Sequence, residues 1–431
     1  MSLNFIYTLV VAMVLVGCSG GAQSDNNNSS NVNTSSNSSN SVTHSSSEVS
    51  FRTLKNKIQN FPSSNKPKNG DIYASANATA QGDGSKGNPY RLQDALDMVQ
   101  PGETLWLRGG EYKIKDRWHY PRLTHGGADE SSRIVIESYP KETAVIVGTK
   151  DFDKDVGADR EGLLIKGNYV TLRRLEIKNC GSYGVNVQGS HVLIEGLQVH
   201  GNLLTGIYAF GKQNHIRYNE VYGNSDYGHS RGNYNNGDNA DAISAGKGSD
   251  GTIIEYNIVY GNSDDGIDIF YANNTTIQYN IVYYNGKKRD GRSYPSDSRG
   301  NGQGIKGGGE NTHNNKLLHN ISFKNKSSGF DISEKGNYNC LMAYNTAWKN
   351  GDVGFTNEAG IGNIVKNNIA AENKNGPTAL RKYGQKDLSD EINNSWQTGE
   401  NIEFLSTNPN DANFLKPKVD TFLYMGAFAI E

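Results

Sequence analysis

From about residue 170 to 375, short apolar runs alternate with Asn and Gly in a repeating unit of roughly 23 residues. A segment that starts and ends in Asn with a β-branched or apolar centre begins at Asn219, Asn257, Asn280, Asn320, Asn345 and Asn368, after weaker copies at Arg174 and Leu197. Starts are 22 to 25 residues apart, except for steps of 38 and 40 that carry insertions near 228–238 and 286–300. Each unit holds two or three β-branched or aromatic runs, as in GTIIEYNIVYGN. They are too short for helices and are bounded by residues that tolerate left-handed backbone. Short strands at this period predict an all-β solenoid, a parallel β-helix, rather than a propeller whose blades take about 40 residues. The recurring Asn should stack into a scaffold ladder along the axis.

Such a solenoid needs capped ends. Leu92, Ala95, Leu96 and Val99 follow helical spacing and Pro101-Gly102 ends the run, so a short N-terminal capping helix is predicted. The apolar TFLYMGAFAI near the C-terminus is expected to pack along the flank of the coils. Cys180 and Cys340 fall several coils apart, beyond disulfide reach, and read as buried thiols.

A second register runs through the units as Gly or Ala, an apolar residue, then a variable one: Asn186, Tyr208, Ser244, Asp268, Lys306, Asp331 and Thr356 hold the variable position. Alternate side chains of a strand face opposite ways, and adjacent strands lie about 4.8 Å apart, so this is a column of outward side chains along which a polymer can lie.

Ahead of the solenoid, an apolar run ending at Leu15-Val16-Gly17-Cys18 resembles a lipoprotein signal, giving residues 1–18 as leader and Cys18 as anchor point. Residues 19–65 are Ser- and Asn-rich and read as a disordered tether, which leaves 66–431 as the parallel β-helix domain. The expected setting is export, with the membrane reached only through that lipid. With 43 basic and 45 acidic residues the chain has no nucleic-acid signature, and a monomer is expected.

Acids gather around the outward column. Asp264, Asp265 and Asp268 fall within five residues, and Asp241 is in register with Asp265 one coil earlier. Four carboxylates in one patch repel unless a cation neutralises them, and an all-oxygen set in irregular turns suits Ca²⁺. In the next coil Lys306 stands between glycines. A lysine beside a divalent ion serves as a base if its pKa falls below the usual 10.4 or so. The ion and burial push it down, while Asp268 and Asp331 in the flanking coils push it up. On pattern alone, a surface ion-pair ladder with a stabilising Ca²⁺ site stands level with a catalytic one.

The segments NADAI at 239–243, NSDDGIDIF at 262–270 and GNGQGIKGGG at 300–309 are similar, in order and spacing, to those of polysaccharide lyase family nine. The resemblance covers about residues 70–425. It implies a right-handed parallel β-helix that cleaves a uronic-acid polysaccharide, pectate or rhamnogalacturonan I, by Ca²⁺-assisted β-elimination. It further implies Asp241, Asp264, Asp265 and Asp268 as calcium ligands and Lys306 as the Brønsted base. Lys247, Asp331 and Tyr208 are candidates for touching substrate, and the insertions' Arg231, Tyr234, Lys287, Lys288, Arg289 and Tyr294 could contact an anionic chain or be solvated loop tips. A hydrolase using paired carboxylates, an epimerase and a non-catalytic, Ca²⁺-stabilised glycan binder remain as alternatives.

Overall fold

A computed structural model describes residues 50–64, 66–114, 119–148, 161–229, 235–309, 311–332, 337–357, 361–379 and 389–429. Through this span the chain coils along three sheets, laying one strand in each per turn. The first sheet has twelve strands, from Ile72–Ala74 to Ser389–Ile392. The second has ten, from Gly110–Lys113 to Ile369–Ala371, and the third has ten, from Arg122–Leu123 to Thr378–Ala379. Neighbouring strands are parallel throughout, as in Ile258 with Ile281 and Ile281 with Ile321. The result is the right-handed parallel β-helix expected from the period.

The core is built by stacking like on like. Ile194, Ile216, Ile254, Ile277 and Leu317 lie in register in the first sheet, all fully buried. Val185, Ile207, Ile243, Ile267 and Ile305 do the same in the third. The Asn ladder forms, and it is double. Asn219, Asn257, Asn280, Asn320, Asn345, Asn368 and Asn394 pass Nδ2–H to Oδ1 bonds of 3.0–3.1 Å from coil to coil. Asn202, Asn224, Asn262, Asn285, Asn325, Asn350 and Asn373 form the second at 2.9–3.1 Å. Beside the first ladder the left-handed turn position is held by Tyr218, Tyr256, Tyr279, His319 and Tyr344, with φ of 54–57°. Their rings stack 4.9–5.1 Å apart, which offsets backbone strain that glycine would avoid.

The capping helix is present at Leu92–Met98, with Ala95 and Leu96 fully buried over the first coil. Phe404, Phe414, Phe422 and Met425 of the C-terminal segment cover the outer face of the second sheet. Cys180 and Cys340 are buried free thiols.

One boundary is corrected. The tether expected over 19–65 does not run to its end: Phe51–Gln59 form a helix, capped by Ser50, whose Oγ accepts from Thr53 N at 3.2 Å. Phe51, Leu54 and Ile58 sit at helical spacing and are buried in the cluster that includes Tyr222, Tyr256 and Tyr260. That apolar stripe has enough buried area to order the segment, which the Ser/Asn run before it lacks. Beyond the helix, Ser64 donates through N and Oγ to the buried carboxylate of Glu137, at 3.2 and 2.5 Å, tying the segment to the first sheet. The leader, Cys18 and the remainder of the tether, residues 1–49, lie outside the described residues. Among the described residues no helix is long and apolar enough to cross a membrane.

Candidate active site

The third sheet aligns the outward column as the spacing predicted. Asn186 pairs with Tyr208, Tyr208 with Ser244, Ser244 with Asp268, Asp268 with Lys306, Lys306 with Asp331, and Asp331 with Thr356. Lys306 Nζ lies 3.8 Å from Asp268 Oδ2, and each side chain is 14% exposed, so the pair is reachable from solvent yet partly shielded.

Asp241, Asp265 and Asp268 bring carboxylate oxygens within 4.8 Å of one another. Backbone and side-chain donors hold the first two: Asp265 N and Ser244 Oγ donate to Asp241 at 3.1 and 2.6 Å, and Gln303 N donates to Asp265 at 2.7 Å. Burial pushes Asp265 well above the usual carboxylate range, and the charges of Asp241 and Asp268 add to it, while Lys306 opposes. Burial likewise raises Asp241, against the Ser244 hydrogen bond and Lys306. Acids so placed favour either a proton or a cation, and three clustered carboxylates fit a hard divalent ion such as Ca²⁺.

Asp264 is next to that trio but outside the set whose oxygens lie within 4.8 Å of one another. Its Oδ1 accepts from Asn301 N at 2.9 Å, and it is raised by burial and then by Asp265, Asp241 and Asp238. Tyr208, beside the acids, stacks on Tyr183 at 4.8 Å, and its hydroxyl is pushed up to about 12 by burial and by the charges of Asp241 and Asp268. Asp331 is buried and accepts from Gln303 Nε2. Lys247 is exposed in the turn after Ile243–Ala245.

The two insertions grip each other rather than standing free. Tyr227 OH donates to Asp297 at 2.9 Å, Asn236 Nδ2 to Asp297 O at 2.8 Å, and Arg299 Nη1 to Asn235 Oδ1 at 2.7 Å. Tyr294 packs 5.3 Å from Tyr227. Lys287 Nζ donates to Lys324 O at 2.7 Å, whereas Lys288, 6.0 Å from the Tyr294 ring, and Arg289, over Tyr222 at 4.4 Å, are exposed. Arg231 and Tyr234 lie outside the described residues. Gln303 and Ser244 were not singled out from sequence. Ser244 holds a column position and was legible there, whereas Gln303 reaches Asp265 through a backbone N–H that carries no residue signature and Asp331 through its side chain.

A family model described as "Pel9A-like, right handed beta helix region" matches residues 72–394. This chain belongs to that family, polysaccharide lyase family nine. Pectate lyase PEL9 of Emericella nidulans is 31% identical over 367 residues, spanning 77% of this chain and 84% of that protein. Pectate lyase L of Paenibacillus polymyxa is 27% identical over 317 residues, spanning 70% and 68%. The crystal structure of pectate lyase Pel9A superposes with a TM-score of 0.62 at 24% identity, covering 84% and 86%, which bears on the fold. The chain is therefore a polysaccharide lyase, and the hydrolase, epimerase and binding-module alternatives fall away.

Proposed function

We propose that this lyase cleaves a uronate-containing polysaccharide, pectate or rhamnogalacturonan I, by β-elimination with Lys306 as base. The observation that carries the reading is the in-register placement of Lys306 beside Asp268, with Nζ on the same face as the acid trio. The pectate assignment is supported by the names of the relatives.

Asp241, Asp265 and Asp268 would hold a Ca²⁺ ion, with Asp264 next to them. When bound, the ion supplies positive charge that neutralises the uronate carboxylate and makes its C5–H more acidic. The chain's own residues do the rest. Lys306, as the free amine, takes the C5 proton. The C5–H electron pair becomes the C4=C5 double bond as the C4–O bond breaks, and the departing oxygen leaves with that bond's pair and gains a proton from solvent. No water is added across the bond. Ser244 and Gln303 fix the carboxylates, and Asp331 lies beyond Lys306 in the column, where a sugar entering along the face would meet it. Tyr208 and Lys247 border the face on the opposite side of Asp268. Export with a lipid on Cys18, and action as a monomer, complete the proposal.

The test is near-ultraviolet absorbance of the unsaturated product on a panel of uronate polysaccharides, with Ca²⁺, with chelator, and with Lys306→Ala. A general base contributes about 10²–10⁴-fold, so Lys306→Ala should lower kcat by that factor while substrate is still bound. Unchanged turnover in that variant would remove Lys306 from the chemistry.

A further inference from the structure

Two residues past Tyr208 and Asp268, beyond the fully buried Ala209 and Ile269, the chain again faces outward. Counting on from Tyr208, Ser244, Asp268 and Lys306 gives Phe210, Gly246, Phe270 and Gly308. Aromatic and glycine alternate from coil to coil. Phe270 is 42% exposed and the next residue, Tyr271, is 36% exposed, although neither belongs to the core clusters. Their rings meet edge to face at 4.2 Å, which fixes the Phe270 plane. The Lys306 ammonium lies 5.5 Å from the Phe270 centroid. Glycine is needed alongside: a Cβ on Gly309 would sit 3.1 Å from Tyr271 N and 3.5 Å from Phe270 Cδ2.

An exposed aromatic ring contributes nothing to the core and leaves apolar surface in water. Here it stands next to the proposed base and the acid trio, where charge selects an anionic polymer. The apolar C–H face of a pyranose ring matches the flat face of a phenyl ring, and the carboxylate edge of a uronate would then project toward the acids' cation. The glycine at 246 makes room for the Tyr208 ring, whose hydroxyl would stand 3.0 Å from a Cβ there, and Phe210 repeats the aromatic two strand spacings away, roughly 10 Å.

We propose that Phe270, braced by Tyr271, is a stacking platform for the uronate ring beside the cleaved bond and so determines which polysaccharide this enzyme accepts. This rests on the lyase reading above for its substrate class, and it adds a specificity residue to it.

The test uses Phe270→Ala, Phe270→Leu and Phe270→Trp in the full protein with Ca²⁺. Binding of oligogalacturonates and rhamnogalacturonan oligosaccharides is measured by calorimetry in the Lys306→Ala background. KM, kcat and the pH profile of kcat are measured by product absorbance with Lys306 intact. Phe270→Ala and Phe270→Leu should weaken binding and raise KM about tenfold or more, with kcat and its pH profile little changed and Phe270→Trp retaining affinity. Binding and KM at wild-type values in Phe270→Ala would overturn the platform. A shifted kcat pH profile with unchanged binding would overturn it too, making Phe270 a positioning residue for Lys306. Phe270-dependent binding without any unsaturated product would leave the platform standing and sink the elimination chemistry instead. Absence of uronate binding by either background would sink both.

Discussion

Asp265→Asn should stabilise the calcium-free protein and destabilise the calcium-loaded one. Asp265 is 1% exposed, and its carboxylate oxygens lie within 4.8 Å of oxygens from Asp241 and Asp268. At an effective dielectric of about 20, two unit charges at that separation repel by roughly 3–4 kcal/mol, and ionised Asp265 faces two such neighbours. Protonation limits how much of this is realised, since burial and those neighbours already hold Asp265 well above the usual carboxylate range. The asparagine keeps an oxygen to accept from Gln303 N, now at 2.7 Å, while removing one charge. In chelator the variant should therefore gain about 1–3 kcal/mol. With Ca²⁺ at a thousand times the wild-type Kd, wild type gains about 4 kcal/mol, and the variant should lose most of that increment. Scanning calorimetry at neutral pH, in chelator and across a Ca²⁺ series, reads both signs. Equal destabilisation with and without Ca²⁺ would refute the reasoning and make Asp265 a simple structural acceptor.

The pH dependence follows from the same acids. Asp241, Asp264 and Asp265 are all raised in the folded protein, so the folded state binds more protons than the unfolded one. Their contribution is full below the ordinary carboxylate range, about pH 4, and is lost as pH rises above it, so in chelator Tm should fall from about pH 5 to pH 7 relative to the Ca²⁺-loaded protein. Asn280 donates to Ile254 O and Asn320 Oδ1 and accepts from both the backbone N and Nδ2 of Asn257. Asn280→Ala leaves several of these buried groups unpaired and should cost about 3–6 kcal/mol in urea unfolding, whereas Asn375→Ala, at an exposed pair with Asp352, should cost under about 1 kcal/mol. Leu54→Ala, at a side chain only 2% exposed, should cost about 2–4 kcal/mol locally and open residues 50–64 to limited proteolysis while the coils stay intact.

The column from Asn186 to Thr356 was legible because two periods meet there: alternation along a strand, and one coil, with or without an insertion, between strands. Asp241 could be matched to Asp265 by the same count, and the structure brings both to one cluster with Asp268. Asp264 was legible as an acid, yet its carboxylate direction depends on Asn301, whose position is set by the insertion directly before it, which has no period. The insertions' mutual grip through Asp297, Asn235 and Asn236 was hidden for the same reason. Phe270 needed only a further step of two from Asp268 along the strand, a signal present but not followed. Phe51, Leu54 and Ile58 carry helical spacing, but the Ser/Asn composition before them masked a three-residue stripe whose partners lie far along the chain.

That distant seating has a consequence in time. The helix Phe51–Gln59 leaves the ribosome before any coil it rests on, for Phe51 packs 5.8 Å from Tyr283 and Lys57 donates to Tyr218 at 2.9 Å. At about 5–20 residues per second, synthesis of that surface takes some tens of seconds. Until then the Phe51, Leu54 and Ile58 stripe has nowhere to be buried. Coils can close on one another as they are made, but this helix must wait, and a chain cut short before the coils around residue 283 would carry an unburied apolar stripe at its beginning. Among the described helices, the first to be made is seated only once the coils around residues 218–283 exist.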